Sequence, residues 1–208
     1  MNASVALSLR LAALTLAPLV AVALLPGSAA AQFSDSYNFL KAVRDRDGTE
    51  ANKFLNDETT RVINTRDSAT GETALSIVVQ RRDLVWTRFL LGKGANPGIA
   101  DKQGMTPLMH ATLIGFAEGA DVLLTRGAQV DQANSRGETA LILAVQRRDA
   151  ALVRMLIARK ANPDRADHIA GMSARDYAKR DDRTGTILAL LDAKAEKDRP
   201  LGPVFGPN

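Results

Sequence analysis

Two phrases recur along this chain in step, and their spacing constrains the fold more tightly than composition does. Gly71-Glu72-Thr73-Ala74-Leu75 returns as Gly104-Met105-Thr106-Pro107-Leu108 and as Gly137-Glu138-Thr139-Ala140-Leu141. It returns more loosely as Gly171-Met172-Ser173-Ala174, so the intervals are 33, 33 and 34 residues. A second phrase, Leu90-Leu91-Gly92-Lys93-Gly94-Ala95-Asn96, keeps the same beat at Leu123 to Gln129 and at Leu156 to Asn162. A fixed interval of this length means one supersecondary unit used repeatedly. Each unit is too small to bury its own apolar face and must stack on its neighbours.

Each unit reads as a turn, two antiparallel helices and a short return loop. Thr73, Thr106, Thr139 and Ser173 precede apolar runs, where a hydroxyl can cap the free N–H groups of a first helix. Pro107 follows at the first helical position, where a missing N–H costs nothing. Asp47, Asp83 and Asp149 hold the corresponding place before the second helix. Gly94 and Gly127 end second helices in a left-handed conformation, whereas Lys160 stands at the third such site at a cost of about 1 kcal/mol. Trp86 faces Gly119 one period on, which predicts a large side chain filling the space beside a small one.

On the period and the Thr106-Pro107-Leu108 phrase, the chain resembles the ankyrin repeats from about Tyr37 to Ala193. Met109 stands where that family's phrase carries histidine, and His110 lies one place beyond. The resemblance implies an all-α, ankyrin-repeat solenoid of about five helix-pair units with β-turn fingers. The units span about 37–70, 71–103, 104–136, 137–170 and 171–193, within a domain of 32–193. The first and last act as caps, and Arg175 and Asp176 supply the polar outer face of the last. The resemblance also implies protein partners far more often than reactions.

The ends of the chain read differently. Arg10 is the one charged side chain before an apolar run, Leu11 to Leu25, and Ala29-Ala30-Ala31 places small residues before Gln32. That is the layout of a secretory signal, with cleavage expected between Ala31 and Gln32 and a periplasmic or secreted product. The run of about 15 residues is short for a membrane span, so no stable membrane insertion is expected after its removal. An uncleaved segment holding the protein at a membrane surface is the alternative. At the other end, Arg199-Pro200-Leu201-Gly202-Pro203 predicts a non-helical tail over 194–208. Loss of the signal leaves 177 residues with a net charge of about +3, too small an excess to point to nucleic acid. With no cysteine, stability must come from packing.

Chemistry is scarce. His110 and His168 are the only histidines and lack metal-ligand spacing, so no metal, cofactor or catalytic residue is expected. The recurring Asp67, Asp101, Asn134 and Asp167 read as turn formers. The positions expected to face a concave surface are more informative. Gln80-Arg81-Arg82-Asp83 and Gln146-Arg147-Arg148-Asp149 are identical tetrapeptides, and between them the third unit places Leu113 and Ile114. With Lys102, Met105 and Arg180, the residues Gln80, Arg81, Leu113, Ile114, Gln146 and Arg147 predict an apolar centre with basic flanks. Such a surface suits a protein partner bringing an apolar anchor and an acidic surround to a monomeric, non-enzymatic module.

Overall fold

The computed structural model describes residues 27–56, 61–181 and 185–197. Its helices run in five antiparallel pairs: α1 (Gly27–Asp45) with α2 (Gly48–Asn56), α3 (Ala74–Gln80) with α4 (Leu84–Gly92), and α5 (Pro107–Leu113) with α6 (Ala117–Thr125). The last two pairs are α7 (Ala140–Gln146) with α8 (Ala150–Ala158), and α9 (Ala174–Asp181) with α10 (Thr186–Lys197). There are no strands among the described residues, only isolated antiparallel bridges such as Arg66–Thr73 and Ala133–Thr139 at the bases of the fingers. No described helix is long and apolar enough to cross a membrane.

Local chemistry starts each helix where the sequence says it should. The Thr73, Thr106 and Thr139 hydroxyls accept from the N–H groups of Ser76, Met109 and Ile142 at 3.3, 3.2 and 3.3 Å. Asp47, Asp83 and Asp149 accept from Glu50, Trp86 and Leu152 at 2.9, 3.1 and 3.1 Å. Each such cap is worth about 1 kcal/mol. Ser173 and Asp176 form a reciprocal pair: the Asp176 amide donates to the Ser173 hydroxyl while the Ser173 amide donates to the carboxylate. Gly94 and Gly127 end α4 and α6 at φ 88° and 89°, and Lys160 adopts the same hand at 65° after α8.

The core is one register repeated. Leu75, Leu108 and Leu141 on first helices, and Leu90, Leu123 and Leu156 on second helices, are all at most 1% exposed. First helices stack in an inner row and second helices in an outer row, so each pair's apolar stripe closes against the next. The fingers are joined backbone to backbone. Lys102 donates to the Thr70 carbonyl at 3.0 Å, Ser135 to Gln103 at 3.0 Å, and His168 to Arg136 at 2.8 Å.

Three expectations change. Gly119 does not make room for Trp86. A Cβ there would lie 2.3 Å from the Phe116 ring, so the glycine admits the aromatic residue of its own unit, while Trp86 lies toward Gly48 of the first unit. Arg175 is not a solvated outer residue: it bridges Asp164 of the fourth unit at 2.8 Å and also pairs with Asp192 of α10, and so ties the two helices of the last unit to the fourth. The helix expected to stop at Ala193 continues to Lys197, because Lys194 to Lys197 are good helix formers and Pro200 comes later. The rest of the predicted tail, 198–208, lies outside the described residues, as does 1–26 of the predicted signal. The expected cleavage point, Ala31–Gln32, falls within α1.

Gly119→Ala should destabilise the fold by about 1–2 kcal/mol, because overpacking beside the buried Phe116 outweighs the gain in helix propensity. A urea titration of the two proteins measures this as a lowered midpoint with an unchanged slope.

Candidate protein-binding groove

At the base of every finger, one buried or half-buried acceptor organises the turn. Asp101 Oδ1 accepts from the amides of Gln103 and Met105 at 2.9 and 2.8 Å. Asn134 Oδ1 accepts from Arg136 and Glu138 at 2.9 and 3.0 Å. Asp67 and Asp167 do the same with the two amides beyond them in their own turns. The remaining polar atom of each turns toward a different partner. Asp67 meets Arg44 at 2.7 Å, Asp101 meets His110 Nε2 at 2.9 Å, and the Asn134 amide donates to Glu138 at 2.8 Å. The Tyr177 hydroxyl donates to Asp167 at 2.6 Å. The turn is thus fixed by one acceptor, and the side chain locking that acceptor varies from unit to unit.

These contacts set the electrostatics of the finger row. The Thr70 amide, with the Arg44 guanidinium next, holds the Asp67 carboxyl at a pKa of about 2. Burial pushes Asp167 upward, but the Tyr177 hydroxyl and the amides of Ala170 and Ile169 outweigh it and leave the group lowered. Tyr177 is raised by donating to Asp167 and by burial.

Between the fingers of the third and fourth units lies an open groove of about 580 Å³. Leu113, Met105 and Leu143 form its apolar floor with the His110 ring beside them, and Lys102, Gln103, Ser135 and Arg136 form its rim. Leu113 is 45% exposed, whereas its counterparts in the flanking units are the polar Gln80 and Gln146. Asp101 and Glu138 lie at or beside the groove, yet are 7% and 8% exposed and engaged by His110 and Arg136. The exposed ends around it are cationic or neutral. Among the described residues no group of three or more His, Cys, Asp or Glu side chains is placed to hold a metal ion.

The structure therefore brings together Lys102, Met105 and Leu113 of the expected set. It assigns the others elsewhere. Ile114 is half-buried against the core, and its carbonyl accepts from Arg82 at 3.3 Å. Arg81 is not a free flank: its Nη1 donates to the Val43 carbonyl at 2.6 Å. Arg147 donates to the Leu113 carbonyl at 2.7 Å, stapling the fourth unit to the third. Gln80 donates to Glu72 at 2.6 Å, and Gln146 hydrogen-bonds Tyr177. Arg180 stacks on Tyr177 at 4.9 Å and pairs with Asp181 at 2.8 Å. His110, Arg136 and Leu143 were not among the expected groove residues. The place of His110 four residues after the capping Thr106, matched by Tyr177 four after Ser173, is the sequence signal that could have found the first of them.

A family model for ankyrin repeats in three copies matches residues 29–134, and a single-repeat model matches 136–168. An ankyrin repeat-containing protein of Treponema pallidum is 34% identical over 143 residues, covering 68% of this chain and 47% of that protein. Mouse inversin is 36% identical over 75 residues, covering 36% of this chain and 7% of inversin. The glycerophosphocholine phosphodiesterase gde1 of Schizosaccharomyces pombe is 39% identical over 80 residues, covering 38% of this chain and 7% of that enzyme. The chain belongs to the ankyrin repeat family, whose repeats form protein–protein interaction modules and act as binding scaffolds. It spans about half the length of the treponemal relative and a small part of the other two.

Because Asp67 is depressed when folded, its stabilising effect is complete above the unfolded value of about 3.9 and is lost as pH falls through about 2. Urea midpoints measured from pH 5 down to pH 2 should fall less steeply in Asp67→Asn than in the parent protein.

Proposed function

We propose that this chain is an exported, non-enzymatic binding module that grips a segment of another protein in the groove between its third and fourth units. The observation carrying this reading is the exposure of Leu113 beside Met105, at the one inner helix end where the flanking units place glutamine. An exposed apolar floor with a polar rim has the anatomy of an interface centre. The occupant brings an aliphatic or aromatic side chain to Leu113 and Met105, and carboxylates to the open sides of Lys102 and Arg136, which also hold the Ser68 carbonyl and Glu138. The module works as a monomer without cofactor, nucleic acid or membrane insertion. The N-terminal run before Gln32 supports export to the periplasm or beyond, and its removal would start α1 at Gln32.

Affinity capture from the exported fraction tests both parts. Leu113→Asp should reduce recovery of the bound protein at least tenfold, while Arg154→Ser, on the outer face of α8, should leave it unchanged. Equal recovery by both variants overturns the groove. The intact mass of the captured module should correspond to a start at Gln32; a full-length mass would favour a protein held at the membrane by its first segment.

A further inference from the structure

The outer helices carry a second feature that is unrelated to the groove. On α4, Val85 is 77% exposed, and it sits beside Trp86 and Phe89, whose rings meet edge to face at 5.8 Å. Together with Gly48 and Asn52 of the first unit they line a recess of about 210 Å³. The pattern belongs to this unit alone among the inner repeats. One period on, the corresponding residues are Glu118, Gly119 and Val122; two periods on, they are Ala151, Leu152 and Met155. Stacking of the repeats does not require it, since the neighbours pack without it.

The charges around the recess are mostly positive. Arg81 lies over the Trp86 ring at 5.7 Å and Lys93 over Phe89 at 5.9 Å, with the Lys93 ammonium also donating to the neutral Asn56 side chain at 3.1 Å. Arg88 is exposed, three positions from Val85 and therefore on the same helix face. The nearby carboxylates are already engaged: Asp83 caps α4 and faces Arg81 at 3.5 Å, Asp47 caps α2 through the Glu50 amide at 2.9 Å, and Glu50 pairs with Lys53 at 2.5 Å. Glu118 marks the boundary on the side of the third unit. The aromatic rings form walls of the recess, with Trp86 Cζ2 only 3.8 Å from where a Gly48 Cβ would stand. A membrane contact asks for projecting anchors, whereas a walled recess accepts a side chain from outside.

We propose that the Val85–Trp86–Phe89 recess is a second docking site, taking an acidic polypeptide segment through one apolar side chain flanked by carboxylates. The apolar side chain enters between Trp86 and Phe89, and the carboxylates meet Arg88 and Lys93. This site lies on the outer helices, so it can be occupied together with the inner groove and would let the module join two proteins.

Trp86 is the only tryptophan in the chain, so its fluorescence reports this recess alone. The full-length protein is titrated with a synthetic amphipathic peptide of leucine and glutamate, and separately with its leucine–lysine counterpart. The acidic peptide should shift Trp86 emission saturably, and the effect should weaken as salt rises. Val85→Asp and Arg88→Glu, both at exposed positions, should weaken it at least tenfold; Leu113→Asp should leave it intact. Four results overturn the proposal: no shift with the acidic peptide, equal response to the basic peptide, a shift produced only by phosphatidylglycerol vesicles, or a shift that follows protein concentration without peptide. Loss of the response in Leu113→Asp would also overturn it, because the two sites would not then be independent.

Discussion

A repeat of this size depends on closing a tight turn outside the apolar layer, and in each of the first four units one side chain does it. Asp67, Asp101, Asn134 and Asp167 each offer an oxygen to two amides of their own turn. Left unpaired, those amides would each cost about 1–3 kcal/mol where water is excluded. Once the turn is fixed, its backbone is set to bond the next finger, as Lys102 does with Thr70 and Ser135 with Gln103. The stack is therefore held by an apolar seam between helices and by a line of backbone hydrogen bonds between fingers. It has no disulfide among the described residues.

The inner helix ends show how a small departure from the repeat produces a site. The second and fourth units carry Gln-Arg-Arg-Asp, with the second arginine left-handed at φ 58° in both. That conformation costs about 1–2 kcal/mol for a residue with a side chain. The third unit has Leu113-Ile114-Gly115-Phe116 instead. Gly115 adopts φ 69°, Phe116 supplies no side-chain cap, and the helix end lacks an arginine. Its exposed carbonyls are taken up from both sides: Arg82 reaches Ile114 and Gly115, and Arg147 reaches Leu113. The neighbouring arginines thus complete the hydrogen bonding of the third unit and leave Leu113 bare to solvent. The groove floor and its polar supports arise from the same local replacement.

Much of this was legible in the residues. The caps at Thr73, Asp83 and Asp149 and the left-handed Gly94 and Gly127 all follow from chemistry that acts within a few residues. The arginines were not. Identical tetrapeptides in alternate units look like matched flanks of a surface, yet Arg81 and Arg147 reach back to carbonyls of the preceding unit, 38 and 34 positions earlier. A long side chain gives no sequence sign of whether it faces water or bridges two units. His110 is a similar case. Its place on the first helix is readable, but its bond to Asp101 needs the finger folded over that helix.

The sequence by itself determined the period, the pairing of helices and the places where they begin and end, because those depend on apolar spacing and on hydrogen bonds closed within one unit. Tertiary structure decided which polar side chains remain available to another molecule. Whether Asp101 and Arg81 are open or engaged depends on groups brought near only when a finger folds over its helix or neighbouring units come together. It also decided where aromatic bulk goes: Phe116 fills the space over Gly119, and Trp86 is left to wall a recess against the first unit. Volume in a close-packed stack is shared between units, and that sharing cannot be read from the spacing of residues along the chain.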